Sequence, residues 1–122
     1  NSIAAQSLNL NKKARIVYVR KEIGIEFKLS FERTWSAISR AIDRTNYAVA
    51  DRNRELRYIQ LDLEEEDDGF FSFFGSSEAD KEVDYELVFT EIGENTLLEF
   101  KKLSDTEVTV NELVDKINEN LS

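Results

Sequence analysis

Alternating hydrophobic and polar residues predict several short strands along the chain. Residues 24–30 alternate cleanly, with apolar side chains at Ile25, Phe27 and Leu29. Residues 14–20 are rich in β-branched and aromatic residues, so they predict a strand that a turn at residues 21–24 separates from the next. Further strands are predicted at residues 47–50, 56–63, 82–89 and 96–103, with turns at 51–55 and 91–95.

Two segments carry apolar residues at helical spacing. The first stripe consists of Phe31, Trp35, Ile38 and Ile42. The second consists of Val110, Leu113, Val114, Ile117 and Leu121. Ser30 is expected to cap the first helix, and Asn46 is expected to end it in a left-handed turn. Thr109 and Glu112 match the T-x-x-E capping box, which predicts where the second helix begins.

The order of these elements is strand, strand, helix, four strands and helix. Short connections between the strands favour an antiparallel sheet, whose single apolar face needs the two helices as its cover. We therefore predict an α+β fold of two layers, with Trp35 at the centre of the contact as a core residue. Residues 1–14 are expected to be a flexible N-terminal segment, the trimmed start of a longer precursor, and 15–122 a single domain.

Four phenylalanines, Phe70, Phe71, Phe73 and Phe74, lie within the acidic segment 64–81, which is predicted to be a loop. Each ring can bury about 150 Å² or more, so a free loop would forgo a large burial energy. The rings are expected either to fold back onto the sheet edge or to insert into a partner or a membrane surface. The flanking acids disfavour anionic lipid. These four residues are our candidate interaction site.

Composition removes several kinds of chemistry. The chain of 122 residues has no cysteine and no histidine, so thiolate sites and Ser-His-Asp triads are excluded. Its four glycines are too far apart to build a phosphate-binding loop. Glycoside hydrolysis needs a pair of catalytic carboxyl groups, and nothing in the sequence singles out one pair among its many acidic residues. We therefore expect no catalytic residues and no enzyme, and no cofactor.

The acidic segment 64–81 partly fits the pattern of the calcium-binding EF-hand loop. Glu64, Glu66 and Asp68 would take positions 1, 3 and 5 of that loop, with Gly69 at position 6. Position 12 would then be Gly75, where the loop needs a bidentate glutamate. We therefore expect no metal site.

Charge is distributed unevenly over the chain, whose net charge is −9. Residues 1–57 hold 12 Lys/Arg and 6 Asp/Glu, whereas residues 58–122 hold 4 and 19. This balance argues against a nucleic-acid partner. Two interpretations remain open. Basic and acidic strands neutralise each other in the fold, or a basic face meets anionic lipid or an acidic partner.

Several stretches together resemble the BamC lipoprotein family of the β-barrel outer-membrane protein assembly (BAM) machinery. They are "FERTWSAISRAIDRTNYAVADRNRE", "GFFSFFG", "DYELVF", "ENTLLEF" and the closing helix. The resemblance runs from about Gly24 to the end of the chain. The chain departs from the family pattern at Glu55, where a glycine is expected, and it contains neither the lipidated cysteine nor the extended docking segment.

This resemblance implies a helix-grip fold and a periplasm-facing, outer-membrane-anchored lipoprotein whose anchor lies outside this chain. It implies protein partners in the assembly machinery, contact rather than catalysis, and no small-molecule substrate. Two alternatives stay open. One is a small-ligand carrier, which a cavity above about 300 Å³ beneath Trp35 would favour, although Ile38 and Ile42 tend to fill that space. The other is a structural module of a larger secreted protein.

Overall fold

The computed structural model describes residues 13–63 and 82–121, which form six strands and two helices. The strands are β1 (Ala14–Val19), β2 (Glu22–Phe27), β3 (Ala48–Asn53), β4 (Tyr58–Asp62), β5 (Tyr85–Ile92) and β6 (Asn95–Lys102). The helices are α1 (Phe31–Asp43) and α2 (Val110–Glu119). The order β-β-α-β-β-β-β-α confirms the predicted α+β class and the predicted sequence of elements. The division of the chain at residue 14 stays a prediction, since residues 1–12 lie outside the described ranges.

The six strands form one antiparallel sheet in the order β1-β2-β6-β5-β4-β3. Its register aligns buried residues into rows across the strands. Ile25 of β2 lies opposite Leu98 of β6, which lies opposite Phe89 of β5. Because side chains alternate between the two faces of a strand, these rows produce one continuous apolar face.

Both helices cover that face. Their buried residues join the inward residues of the sheet in a single hydrophobic cluster. The buried residues of α1 are Phe31, Thr34, Trp35, Ala37, Ile38, Ala41 and Ile42. Those of α2 are Leu113, Val114 and Ile117. The apolar stripes predicted for both helices thus face the sheet, and the fold has two layers.

An aromatic cluster anchors the start of α1 on the sheet. The ring centroids of Trp35 and Phe89 are 5.0 Å apart, and those of Phe31 and Phe89 are 5.8 Å apart in an edge-on arrangement. The guanidinium carbon of Arg57 lies 4.4 Å from the Phe31 ring centroid, and Arg57 also pairs with Glu91 at 2.7 Å. The prediction that Trp35 is a core residue is therefore confirmed.

The predicted helix starts are confirmed by their hydrogen bonds. The backbone N–H of Arg33 donates to the Ser30 hydroxyl at 3.3 Å. At α2, Glu112 N–H donates to the Thr109 hydroxyl at 3.1 Å, and Thr109 N–H donates to the Glu112 carboxylate at 3.0 Å. These bonds satisfy backbone donors that have no partner within the helix.

The predicted ends of several elements were wrong. The first turn is Arg20–Lys21, both at positive φ, so Glu22 already belongs to β2. Helix α1 ends at Asp43, and Asn46 has no positive φ. Strand β3 runs on to Asn53, so residues 51–53 belong to a strand and not to the predicted turn. A hairpin between β5 and β6 is confirmed, but its turn is limited to residues 93–94, with Gly93 at φ +60°, and not the predicted 91–95.

Removing the cap of α2 tests how far that helix depends on its first turn. Thr109→Ala should lower the free energy of unfolding by about 1 kcal/mol, because Glu112 N–H loses its partner. Chemical denaturation monitored by circular dichroism measures the change. Thr109→Ser keeps the hydroxyl and should stay close to the parent chain. Equal losses in both variants would show that the threonine methyl group matters and not the cap.

Candidate functional site

Phe70, Phe71, Phe73 and Phe74 lie outside the described residues. The structure does show how the segment that carries them is attached. Its neighbours Leu63 and Glu82 both line a cleft of about 500 Å³ at the end of β4 and the beginning of β5. The two attachment points of the candidate site therefore lie at one place on the fold.

A buried carboxylate holds these attachment points. Asp84 is 1% exposed and accepts hydrogen bonds from Leu63 N–H at 2.7 Å and from the Ser104 hydroxyl at 2.5 Å. Its own N–H donates to Leu61 O at 2.8 Å, and its carbonyl accepts from Leu103 N–H at the same distance. Asp84 thus connects β4, β5 and the residues after β6. Sequence reasoning missed it, because in the strand predicted at 82–89 an aspartate at this position alternates with the apolar residues and is expected to face solvent.

The cavities of the described residues bear on the alternative of a small-ligand carrier. Among them are three with volumes of about 560, 500 and 150 Å³. Trp35 lines none of the three. The aromatic cluster with Phe31 and Phe89 fills the region beside it. None of these three cavities therefore lies where a small-ligand carrier is expected to have its pocket.

The largest of these cavities is an open groove between the β1–β2 hairpin and the start of α2. Ile23, Tyr85 and Phe100 supply apolar surface, and Lys21 and Lys102 supply positive charge. The Tyr85 hydroxyl donates to Val108 O at 2.8 Å, which satisfies this buried polar group. Glu22 also lines the groove, so the groove combines apolar surface with charged residues of both signs.

Each titratable group with a shifted pKa has a structural cause for the shift. Hydrogen bonds from Asn95 and Arg15 lower the pKa of the Glu26 carboxyl. The hydrogen bond to Asp51 raises the pKa of Tyr58, and burial raises the pKa of Tyr85. Residues 13–63 and 82–121 contain no cluster of acidic side chains that could hold a metal ion. These shifts therefore reflect the pairing and packing of the fold.

Direct ion pairs between described residues include one that joins the basic half of the chain to the acidic half. Two ion pairs occur among the described residues. Arg57–Glu91 joins the basic half to the acidic half, whereas Arg15–Glu26 lies within the basic half and links β1 to β2. Arg20 and Lys21, in the turn of the β1–β2 hairpin, are exposed.

No helix in the described residues is long and apolar enough to cross a membrane.

Breaking the contacts of Asp84 tests whether they hold the two attachment points. Asp84→Ala leaves buried donors at Leu63 and Ser104 unsatisfied and should cost about 2 kcal/mol or more in unfolding free energy. Asp105→Ala is the matched control, because it removes the same charge from an exposed position in the same cleft. Urea denaturation compares them. Similar stabilities for the two variants would contradict the role given to Asp84.

Comparison with known proteins shows which family the chain is related to. A comparison with curated proteins gives no match. The family model described as outer membrane protein assembly factor BamC-like C-terminal domain matches residues 24–122, which includes every described element from β2 onward except the first two residues of that strand. This confirms the resemblance drawn from the sequence. The match covers most of the chain, and the chain belongs to the BamC-like C-terminal domain family of outer membrane protein assembly factors.

Proposed function

We propose that this chain is a non-enzymatic interaction domain of a lipoprotein in the β-barrel outer-membrane protein assembly complex. The observation that carries the proposal is the family match over residues 24–122, since it relates the chain to outer membrane protein assembly. On this proposal the domain faces the periplasm and is held at the outer membrane by a lipid anchor outside this chain. Its partners are proteins of the assembly machinery.

The packing of the described residues supports a role in contact. The apolar face of the sheet is covered by two helices, and the aromatic cluster around Trp35 occupies the space beside α1. The buried Tyr85 and Asp84 are both engaged in hydrogen bonds that hold the fold. A domain built in this way offers its surface to partners.

The aromatic segment supplies the proposed contact residues. Phe70, Phe71, Phe73 and Phe74 are surrounded by acidic residues of the same segment, so a partner would need an apolar recess with a basic rim. Aromatic side chains dominate the binding energy of many protein interfaces.

Exchanging two of these rings tests the proposal. Phe71→Ser combined with Phe73→Ser should reduce capture of assembly-complex proteins from a detergent extract of outer membranes by about tenfold or more. The melting temperature should change by only a few degrees, because these rings are proposed to contact a partner rather than the core. Quantitative mass spectrometry of the captured proteins and thermal denaturation give the two measurements.

A matched control removes apolar surface elsewhere. Leu56 is 68% exposed in the turn between β3 and β4, and Ile92 is 49% exposed near the β5–β6 hairpin. Replacing both by serine should leave capture unchanged. A large loss of stability with unchanged capture in the Phe71 and Phe73 variant would instead assign those rings to the core, and turnover by the purified chain would overturn the non-enzymatic role.

A further inference from the structure

The two edges of the sheet differ in their ability to accept another strand. Within the described residues, β1 and β3 are the outermost strands. The register of β3 is broken between Val49 and Asp51, and it carries Arg52 on the helix side, opposite Ile59. A bulge and an inward charge both protect an edge against strand addition. β1 is paired with β2 over all six residues without a break, so its edge lacks that protection.

The backbone groups of β1 that point away from β2 can be identified from the register. Lys28 N–H donates to Lys13 O at 2.6 Å, which makes Lys13 and Lys28 a hydrogen-bonded pair. In an antiparallel ladder such pairs alternate, so Ala14, Ile16 and Tyr18 direct their N–H and C=O groups to the open side. The side chain of Tyr18 is 65% exposed, so access to this end of the edge is not blocked by packing.

The charge along this edge has one sign. Residues 13–21 read KARIVYVRK, with four basic residues and no acid, in a chain whose net charge is −9. Arg15 is paired with Glu26, whereas Lys13, Arg20 and Lys21 form no ion pair with any described residue. An apolar strand with basic residues at both ends is complementary to an extended segment that carries apolar and acidic residues.

We propose that β1 binds an extended acidic segment of a partner protein, which adds to the sheet as a seventh strand. The backbone of that segment bonds to Ala14, Ile16 and Tyr18, and its apolar side chains pack beside Ile16 and Tyr18. Its carboxylates lie near the basic residues at the two ends of β1. The inference rests on the proposal that the domain acts by contact, but it concerns a surface that does not include the phenylalanine segment.

The neighbouring groove extends this docking surface. Tyr18 and Lys21 belong to the β1–β2 hairpin and also line the groove of about 560 Å³. Side chains of an added strand that point to the helix side of the sheet therefore meet the groove at Tyr18, its lining residue on β1. Backbone hydrogen bonds to β1 do not depend on the partner's sequence. The groove adds a preference for a suitable side chain at one position of the partner.

A second copy of this chain is a poorer occupant of the same edge. Two β1 strands paired antiparallel about Ile16 would place Lys13 of one copy near Arg20 and Lys21 of the other. Like charges that oppose each other across a strand pair are destabilising. The sign of the charge therefore favours an acidic partner over self-association.

The test uses a short labelled peptide that alternates valine with glutamate and spans β1. Tyr18→Pro removes an N–H from the open side of the edge without removing a bond to β2, and proline is tolerated at that position of an edge strand. Tyr18→Val is the matched control, because it loses the same ring but keeps the N–H. Fluorescence anisotropy gives the peptide affinity, and circular dichroism gives the melting temperature of each variant.

We expect Tyr18→Val to bind the peptide more weakly than the parent chain, because it loses the ring beside which the peptide packs, and Tyr18→Pro to bind about tenfold more weakly than Tyr18→Val while still folded. A peptide with lysine in place of glutamate should bind at least about tenfold more weakly to the parent chain. Peptide binding should also slow amide exchange at Ala14, Ile16 and Tyr18.

Three results would overturn the inference. They are no binding of the glutamate peptide, equal binding to Tyr18→Pro and Tyr18→Val, and equal binding of the glutamate and lysine peptides. A concentration-dependent dimer that Tyr18→Pro abolishes, seen by sedimentation, would assign the edge to a second copy and would overturn the acidic partner. None of these results depends on capture by the phenylalanine segment, so the two proposals can fail separately.

Discussion

The fold depends on covering one apolar face of a sheet with two short helices. Helix α2 has ten residues, and isolated helices shorter than about 12–15 residues are marginal in water, so α2 relies on the burial of Leu113, Val114 and Ile117. Helix α1 is secured by the ring contacts of Trp35 with Phe89. The covering residues fill the space between the layers. The surface of the domain and the connections between its strands therefore remain for contacts with partners.

Both proposed contact regions lie at the same end of the sheet. The register connects the hairpin end of β1 and β2 with the end of β6, where Lys102 pairs with Tyr85. Tyr85 in turn pairs with Leu61, close to where the phenylalanine segment departs. A basic edge and an acidic aromatic segment are thus attached to one end of the molecule, with the groove beside the start of α2 between them. A partner could engage both regions from a single direction.

Periodicity predicted the parts of the fold in which burial decides the structure. Ile59, Leu61 and Leu63 alternate because they face the core, and the Thr109 capping box has a fixed spacing. The end of β3 could not be predicted from the pattern of apolar residues. An edge strand forms its backbone hydrogen bonds equally well at a polar residue such as Asp51. The burial of Asp84 depends on partners distant in sequence. The spacing of the phenylalanines fits neither a helix nor a strand. The sequence therefore indicated candidate residues but not how they are arranged in space.

The pairing of β4 with β5 has a consequence for how this domain can vary. Residues 64–81 join two strands that are direct neighbours, whose last paired residues, Leu61 and Tyr85, lie about 5 Å apart, and Asp84 bonds to Leu63 beyond that pair. Closing such a connection becomes only slowly more unfavourable as residues are added. The sheet can therefore accept a connection of different length and composition between β4 and β5 without a change in the scaffold.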